Sequence, residues 1–192
     1  MGIFKGIFRF IKRAAILFLI FATIGSVIYT IRLLRKGSRK ISFSAIIDSD
    51  AGNGVSDLFA IARALADPGF KVIGLTSAQW NYYPQINQGT AGISQELHDS
   101  LLTLFNKGRI PHLRGGEEMI GSTGQSLFRH SEAAEFIVKK AHEVSKNEKL
   151  NIIALGSLTN LASAILLDST IVPKLKAYTL AMHYNTSAKV WN

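Results

Sequence analysis

Three carboxylates, Asp48, Asp50 and Asp57, fall within ten residues, directly behind the apolar pair Ile46-Ile47 and around the small-residue segment Ala51-Gly52-Asn53-Gly54. Carboxylates crowded into one turn repel one another and stay ionised together only if a cation sits among them. Hard oxygen donors of this type suit Ca²⁺ or Mg²⁺. Cation binding is therefore the chemistry these residue types and spacings could support. More plainly, Asp48 and Asp50 can cap a turn and Asp57 a helix N-terminus.

The flanking periodicity says what must position them. Ile41 to Ile47 is β-branched and aromatic and predicts a buried strand, whereas Val55 to Ala66 has apolar residues at helical spacing. Asp48 and Asp50 leave on one face if the strand persists to its end. Gly52 and Gly54 let the chain reverse, and Asp57 falls in the first helical turn, where the macrodipole favours negative charge.

Downstream, the pattern predicts a strand over Lys71 to Ser77, a helix from about Gln88 to Phe105 and a short strand near Ile110 to Leu113. A helix over Ser131 to Ser145, a strand over Leu150 to Leu155, a helix over Leu158 to Leu166 and a strand over Ala177 to Met182 complete it. This alternation argues an α/β fold: a mostly parallel, Rossmann-like sheet with helices on both faces. Ligands in such sheets sit at the carboxyl ends of strands, where Asp48, Asp50, Asn81 and Leu155 all fall.

Other acidic turns fit less well. Counted from Asp48, an EF-hand would need Gly at its sixth place and Glu at its twelfth, which hold Asn53 and Phe59. A haloacid dehalogenase-type phosphatase also sets two Asp two apart after a strand, but expects a different loop from Ala51-Gly52-Asn53. The segment resembles instead the signature of the inosine/uridine-preferring nucleoside hydrolases, Asp-x-Asp-x-Gly followed by Asp-Asp at a helix start. Asp48, Asp50, Gly52, Asn53 and Asp57 match it, and Ser56 departs from it. Val72 to Asn81 is similar to the family's second strand ending in Asn, and Ile152 to Ala162 to its strand, Gly-x-Leu-Thr-Asn turn and helix.

The resemblance implies a Ca²⁺ that binds the attacking water and the ribose hydroxyls. Asp50 would be metal ligand and general base, Asp57 a metal ligand, Leu155 the carbonyl donor, Asn81 a ribose contact, and Asp48 a support for the turn. Cation-bound water is more acidic, a carboxylate in contact can take its proton, and an oxocarbenium-like ribosyl centre welcomes negative charge. The substrate would be a ribonucleoside, split to base and ribose. Ser56 stands where the family has an Asp that contacts the ribose hydroxyls, so a charge-assisted hydrogen bond becomes at best a neutral one. The family continues with a Glu-Phe-Asn segment, a leaving-group His and a further Asp. Val190-Trp191-Asn192 is either that segment in altered form or the approach to it, so the resemblance implies that residues 41–192 are a truncated part of the domain. A non-catalytic binding or interaction module is the alternative, and an exposed sheet edge would favour homo-oligomers.

The N-terminus carries a separate expectation. Ala14 to Ile31 is uncharged, and at about 1.5 Å per residue it rises roughly 27 Å, close to the ~30 Å hydrocarbon core. This predicts residues 1–40 to be a single-pass membrane anchor, with a helix over about 14–34 and a linker at Gly37 to Lys40. A cleaved signal peptide is the rival. The formal net charge of +9 resides entirely in these forty residues, since Lys5, Arg9, Lys12, Arg13, Arg32, Arg35, Lys36, Arg39 and Lys40 meet no acid there. The remaining basic residues balance the 13 acidic ones. Such flanks favour anionic lipid headgroups, and the balanced remainder offers no basic argument for nucleic acid. Four positive residues precede the helix and five follow, so the side of the membrane stays open. The absence of cysteine rules out disulfides without naming a compartment.

The five histidines, His98, His112, His130, His142 and His183, show no metal-ligand spacing and are read as surface or packing residues. Gly121 to Gly124 lies where the family has a mobile loop, and Trp80 is either a stacking platform or core.

Overall fold

The computed structural model describes residues 16, 18–30, 43–80, 89–118, 120, 130–180, 184–185 and 190–191. The chain divides into two units, Met1–Lys40 and Ile41–Asn192.

In the second unit, strands and helices alternate: β1 (Phe43–Ser49), α1 (Val55–Ala66), β2 (Phe70–Ser77), α2 (Thr90–Leu104), β3 (His112–Arg114), α3 (Glu132–Glu143), β4 (Leu150–Ala154) and α4 (Thr159–Leu167). A 3₁₀ turn, Ser169–Lys174, leads into β5 (Leu175–Thr179), and two short antiparallel strands follow, β6 (Tyr184–Asn185) and β7 (Val190–Trp191). The main sheet has the order β3-β2-β1-β4-β5, and every pairing in it is parallel. The direction of winding reverses between β1 and β4. In open α/β sheets the crevice outside the carboxyl ends at such a reversal is where ligands bind.

Alternation along β1 builds the two faces. Ile46 packs with Ile152 against Ile137 and Ala141 of α3 and Leu161 and Ala164 of α4. Its neighbour Ile47 joins Leu75 against Ile61 and Leu65 of α1 and Leu102 of α2. Helices therefore cover both faces, and each fully buried Ile or Leu contributes roughly 1.5–3 kcal/mol. The start of α3 follows local rules: the Ser131 hydroxyl accepts from the Ala134 amide, and Glu132 and Glu135 occupy its first turn.

Most element boundaries shift by one to three residues from expectation, those of β1 and β5 among them. β1 continues to Ser49 rather than stopping at Ile47, placing Asp48 inside the sheet opposite Ala154. β5 begins at Leu175 rather than Ala177, because Leu175 and Lys176 already pair with Leu150 and Asn151 of β4, behind a 3₁₀ turn capped by Asp168.

The membrane-anchor expectation is corrected. Among the described residues no helix is long and apolar enough to cross a membrane. Helix is described at residues 16 and 18–30, and the continuous run rises roughly 20 Å, well short of a hydrocarbon core of about 30 Å. The ends of the expected span, including Ala14 and Ile31, lie outside the described residues. The single-pass localisation and the lipid contact built on it fall with that reading.

Candidate active site

At the end of β1 the acidic residues separate. The Asp48 side chain is fully buried, and its Oδ1 accepts from Thr76 Oγ1 at 2.6 Å and from Asn160 Nδ2 at 2.9 Å. Burial pushes its carboxyl up to about 6, against the opposing pull of those two donors. Asp50 instead lies just past the strand end. Its Oδ2 accepts from Asn53 Nδ2 at 3.1 Å, and the Asn53 amide closes the turn on the Asp50 carbonyl at 2.8 Å. Asp57, in the first turn of α1, accepts from Ser49 Oγ at 2.8 Å.

Asp50 and Asp57 are 4% and 5% exposed. Burial first, and the neighbouring Asp57 charge second, push the Asp50 carboxyl up to about 7. Two acids, not three, share the site, and among the described residues no group of three or more His, Cys, Asp or Glu could hold a metal ion. The physical reason is the strand end: the period of two holds only while the chain is extended, and it turns after Ser49.

The turn between β4 and α4 forms the opposite wall. The Leu155 amide donates to the Asp48 carbonyl at 2.8 Å, seating Leu155 beside the end of β1. A Cβ on Gly156 would lie 2.2 Å from the Asp50 carboxyl carbon, so only glycine lets that carboxylate rest against the turn. Gly52 is equally constrained, since a Cβ there would meet Trp80 Cη2 at 2.2 Å. Trp80 is 6% exposed, and its backbone N–H and carbonyl both bond the Thr90 hydroxyl. Its ring is a packed floor under the acidic turn, the core reading of the two.

Ser56 is exposed on α1, with its hydroxyl 3.5 Å from Asp57 Oδ1. Asn81, His183 and the Gly121 to Gly124 loop lie outside the described residues. The other described histidines lie elsewhere: His112 pairs with Asp99, His130 with Glu135, and His142 with Asp168, while His98 is fully buried in α2. Sequence reasoning assigned no role to Ser49, Asn53, Thr76 or Asn160. Their polar types inside or beside apolar strands were the available signal, but the partner of each depends on which strands become neighbours.

The donor chemistry fits a hard cation. Two buried carboxylates adjoin, one is held far above its ordinary range partly by the other, and among the described residues no ion pair includes either. A bound cation would relieve that repulsion.

Comparison with known proteins agrees with this geometry. The family model for inosine-uridine preferring nucleoside hydrolases matches residues 45–182. The chain is 31% identical over 155 residues to "Probable uridine nucleosidase 2" of Oryza sativa subsp. japonica and 30% identical over 145 residues to "Uridine nucleosidase 1" of Arabidopsis thaliana. Each match takes in 68% of this chain and 42% of the relative, so the chain spans less than half the length of these relatives. Among solved structures, the inosine-guanosine nucleoside hydrolase IG-NH superposes with a TM-score of 0.54 at 27% identity, over 77% of this chain and 51% of that one. The purine-preferring ribonucleoside hydrolase from Gardnerella vaginalis shares the fold, with a TM-score of 0.56 at 19% identity, over 73% of this chain and 49% of its own. The acidic turn at the β1 end, the Gly-Ser-Leu-Thr-Asn turn after β4 and the matched span together make this chain a member of the inosine-uridine preferring nucleoside hydrolase family.

Proposed function

We propose that this chain hydrolyses the N-glycosidic bond of ribonucleosides to free base and ribose, with Asp50 as general base and Ca²⁺ as its cation. The observation that carries this reading is the buried Asp50 and Asp57 pair at the β1/β4 reversal, with the Asp50 carboxyl against Gly156. The family and the uridine nucleosidase relatives support a ribonucleoside as the substrate class.

Asp50, Asp57 and the Leu155 carbonyl would hold the cation, and Ca²⁺ takes 6–8 oxygen ligands, leaving places for water and sugar hydroxyls. When bound, it would supply Lewis acidity that lowers the pKa of water in contact with it. Asp50 takes a proton from water as the water oxygen bonds to the ribosyl carbon. The electron pair of the breaking C–N bond leaves with the base, whose nitrogen takes a proton from solvent while Asp50 returns its own, so that one water is divided between ribose and base. The two carboxylates favour the positive charge that develops on the ribosyl centre. Asn81 would contact the ribose, Ser56 would offer it a neutral hydrogen bond, and Asp48 holds the strand end from behind.

A second reading, binding without turnover, is favoured by Ser56, which leaves the ribose-facing position of α1 uncharged. The exposed edge strand β5 supports pairing with a second copy in either case.

Calorimetry on the full chain tests the proposal. Micromolar or tighter Ca²⁺ binding, lost in Asp50→Ala and Asp57→Ala, is expected, together with Ca²⁺-dependent release of reducing sugar from uridine or inosine. Binding without release selects the second reading. A folded protein that binds no Ca²⁺ overturns the proposal.

A further inference from the structure

We propose that Asn160 is a positioning residue for the carboxylate pair, clamping the carboxyl ends of β1 and β2 and the segment after β3 to the turn against which Asp50 rests. The inference builds on the cation site proposed above, and it concerns a residue to which that mechanism assigns no role.

Asn160 is 1% exposed and stands in the first turn of α4. Its Nδ2 donates to Asp48 Oδ1 at 2.9 Å on β1 and to the Ser77 carbonyl at 2.9 Å at the end of β2. Its Oδ1 accepts from the Gly116 amide at 3.1 Å, just beyond β3. One planar amide thus ties together three segments separated from it by 112, 83 and 44 residues. All three bonds exist in only one orientation of the amide, because donors and acceptors sit at fixed ends of the group.

The chain of contacts leads straight to the site. Asn160 lies four residues past Gly156, at the far end of the turn whose near end presses on the Asp50 carboxyl. The same turn is pinned by the Leu155 amide on the Asp48 carbonyl at 2.8 Å, and the Ala78 amide joins the Ser49 carbonyl at 2.8 Å. Asp48 is the shared anchor, since its Oδ1 receives both Asn160 and Thr76. A buried amide bonded at both ends to groups distant in the chain holds one geometry and resists others. The separation between the Asp50 carboxylate and the Leu155 carbonyl is set by this clamp.

Two measurements on the full chain test it: Ca²⁺ titration calorimetry and amide hydrogen exchange by NMR. Asn160→Asp keeps the shape but turns an acceptor toward Asp48 and the Ser77 carbonyl. It is expected to weaken Ca²⁺ at least tenfold and to lower protection at least tenfold at the Leu155, Ala78 and Asn53 amides, leaving Ile137 and Ala141 of α3 unchanged. Adding Asp48→Asn restores a donor facing an acceptor and is expected to recover protection at Leu155. Where Asn160→Asp does not fold, Asn160→Ser carries the same comparison. Uniform loss of protection in step with melting temperature, or unaltered protection at the three amides, overturns the inference. Absence of Ca²⁺ binding by the wild type overturns the proposed function instead, and the exchange pattern alone then decides the role of Asn160.

Discussion

At the scale of single residues, Asp48 and Asp50 show how two identical side chains two positions apart acquire different work. Asp48 lies inside the strand and spends its carboxylate on Thr76 and Asn160, whereas Asp50 lies past the strand and faces Asp57. A proton then competes with any cation for Asp50. Because its carboxyl is pushed up to about 7, Ca²⁺ affinity is expected to rise severalfold as pH increases through about 7 and to level off above, as a calorimetric pH series would read. The stability sign runs the other way without cation. A folded value of about 7 against an ordinary 3.8 means that the folded chain binds the extra proton, so stability falls as pH rises from about 4 to about 7. Asp50→Asn is expected to lack that part of the pH dependence. The resemblance already set Asp48 apart from Asp50 as a support for the turn, but its partners Thr76 and Asn160 were not legible, because they depend on β1 running two residues further than its apolar pattern and on which strands become neighbours.

At the scale of elements, α2 is held by groups that its own sequence does not contain. Its N-terminus has no side-chain cap of its own, and the Glu117 carboxylate, 26 residues beyond Ala91, accepts from the Ala91 and Gly92 amides while bonding Arg114. On its buried face, His98 has neither ring nitrogen hydrogen-bonded among the described residues. Burial, and then the nearby His112, pull it down to about 4. The groups around it include His112 on β3, itself paired with Asp99. A depressed histidine contributes stability that is complete above pH 6.5 and is lost as pH falls toward 4, on the order of 3 kcal/mol. His98→Leu is expected to flatten that acid-side loss, measured as melting temperature between pH 4 and 7. An unchanged slope would place the acid sensitivity elsewhere. Helix and strand identities followed from periodicity along the chain. The cap and the unsatisfied imidazole depend on α2 meeting β3 and its following loop, which no local window contains.

At the scale of the whole molecule, the reversal of strand order between β1 and β4 brings residues 48–57 and 155–160 together across about a hundred residues of chain. The proposed cation would link the two halves of the sheet, so chelation would test the global fold as well as the site. At a Ca²⁺ concentration of about 100 times its Kd, binding adds about 2.7 kcal/mol, which for a domain of this size shifts the melting temperature by roughly 5–10 °C. Scanning calorimetry with and without chelator is expected to show that shift in the wild type and not in Asp57→Ala. The sequence by itself determined the alternation of strands and helices, the acidic turn, the Gly-Ser-Leu-Thr-Asn turn and the family they indicate, because each is written in short-range spacing and residue type. It misled at the N-terminus, where lack of charge over eighteen residues suggested a span that the described helix does not reach. Only the tertiary structure decided which groups hold Asp48, that Gly156 lies against the Asp50 carboxyl, and that Asn160 bonds the Asp48 side chain, the end of β2 and the segment after β3. Those outcomes depend on strand order and on where extended backbone stops, and both are settled by packing between segments far apart in the chain.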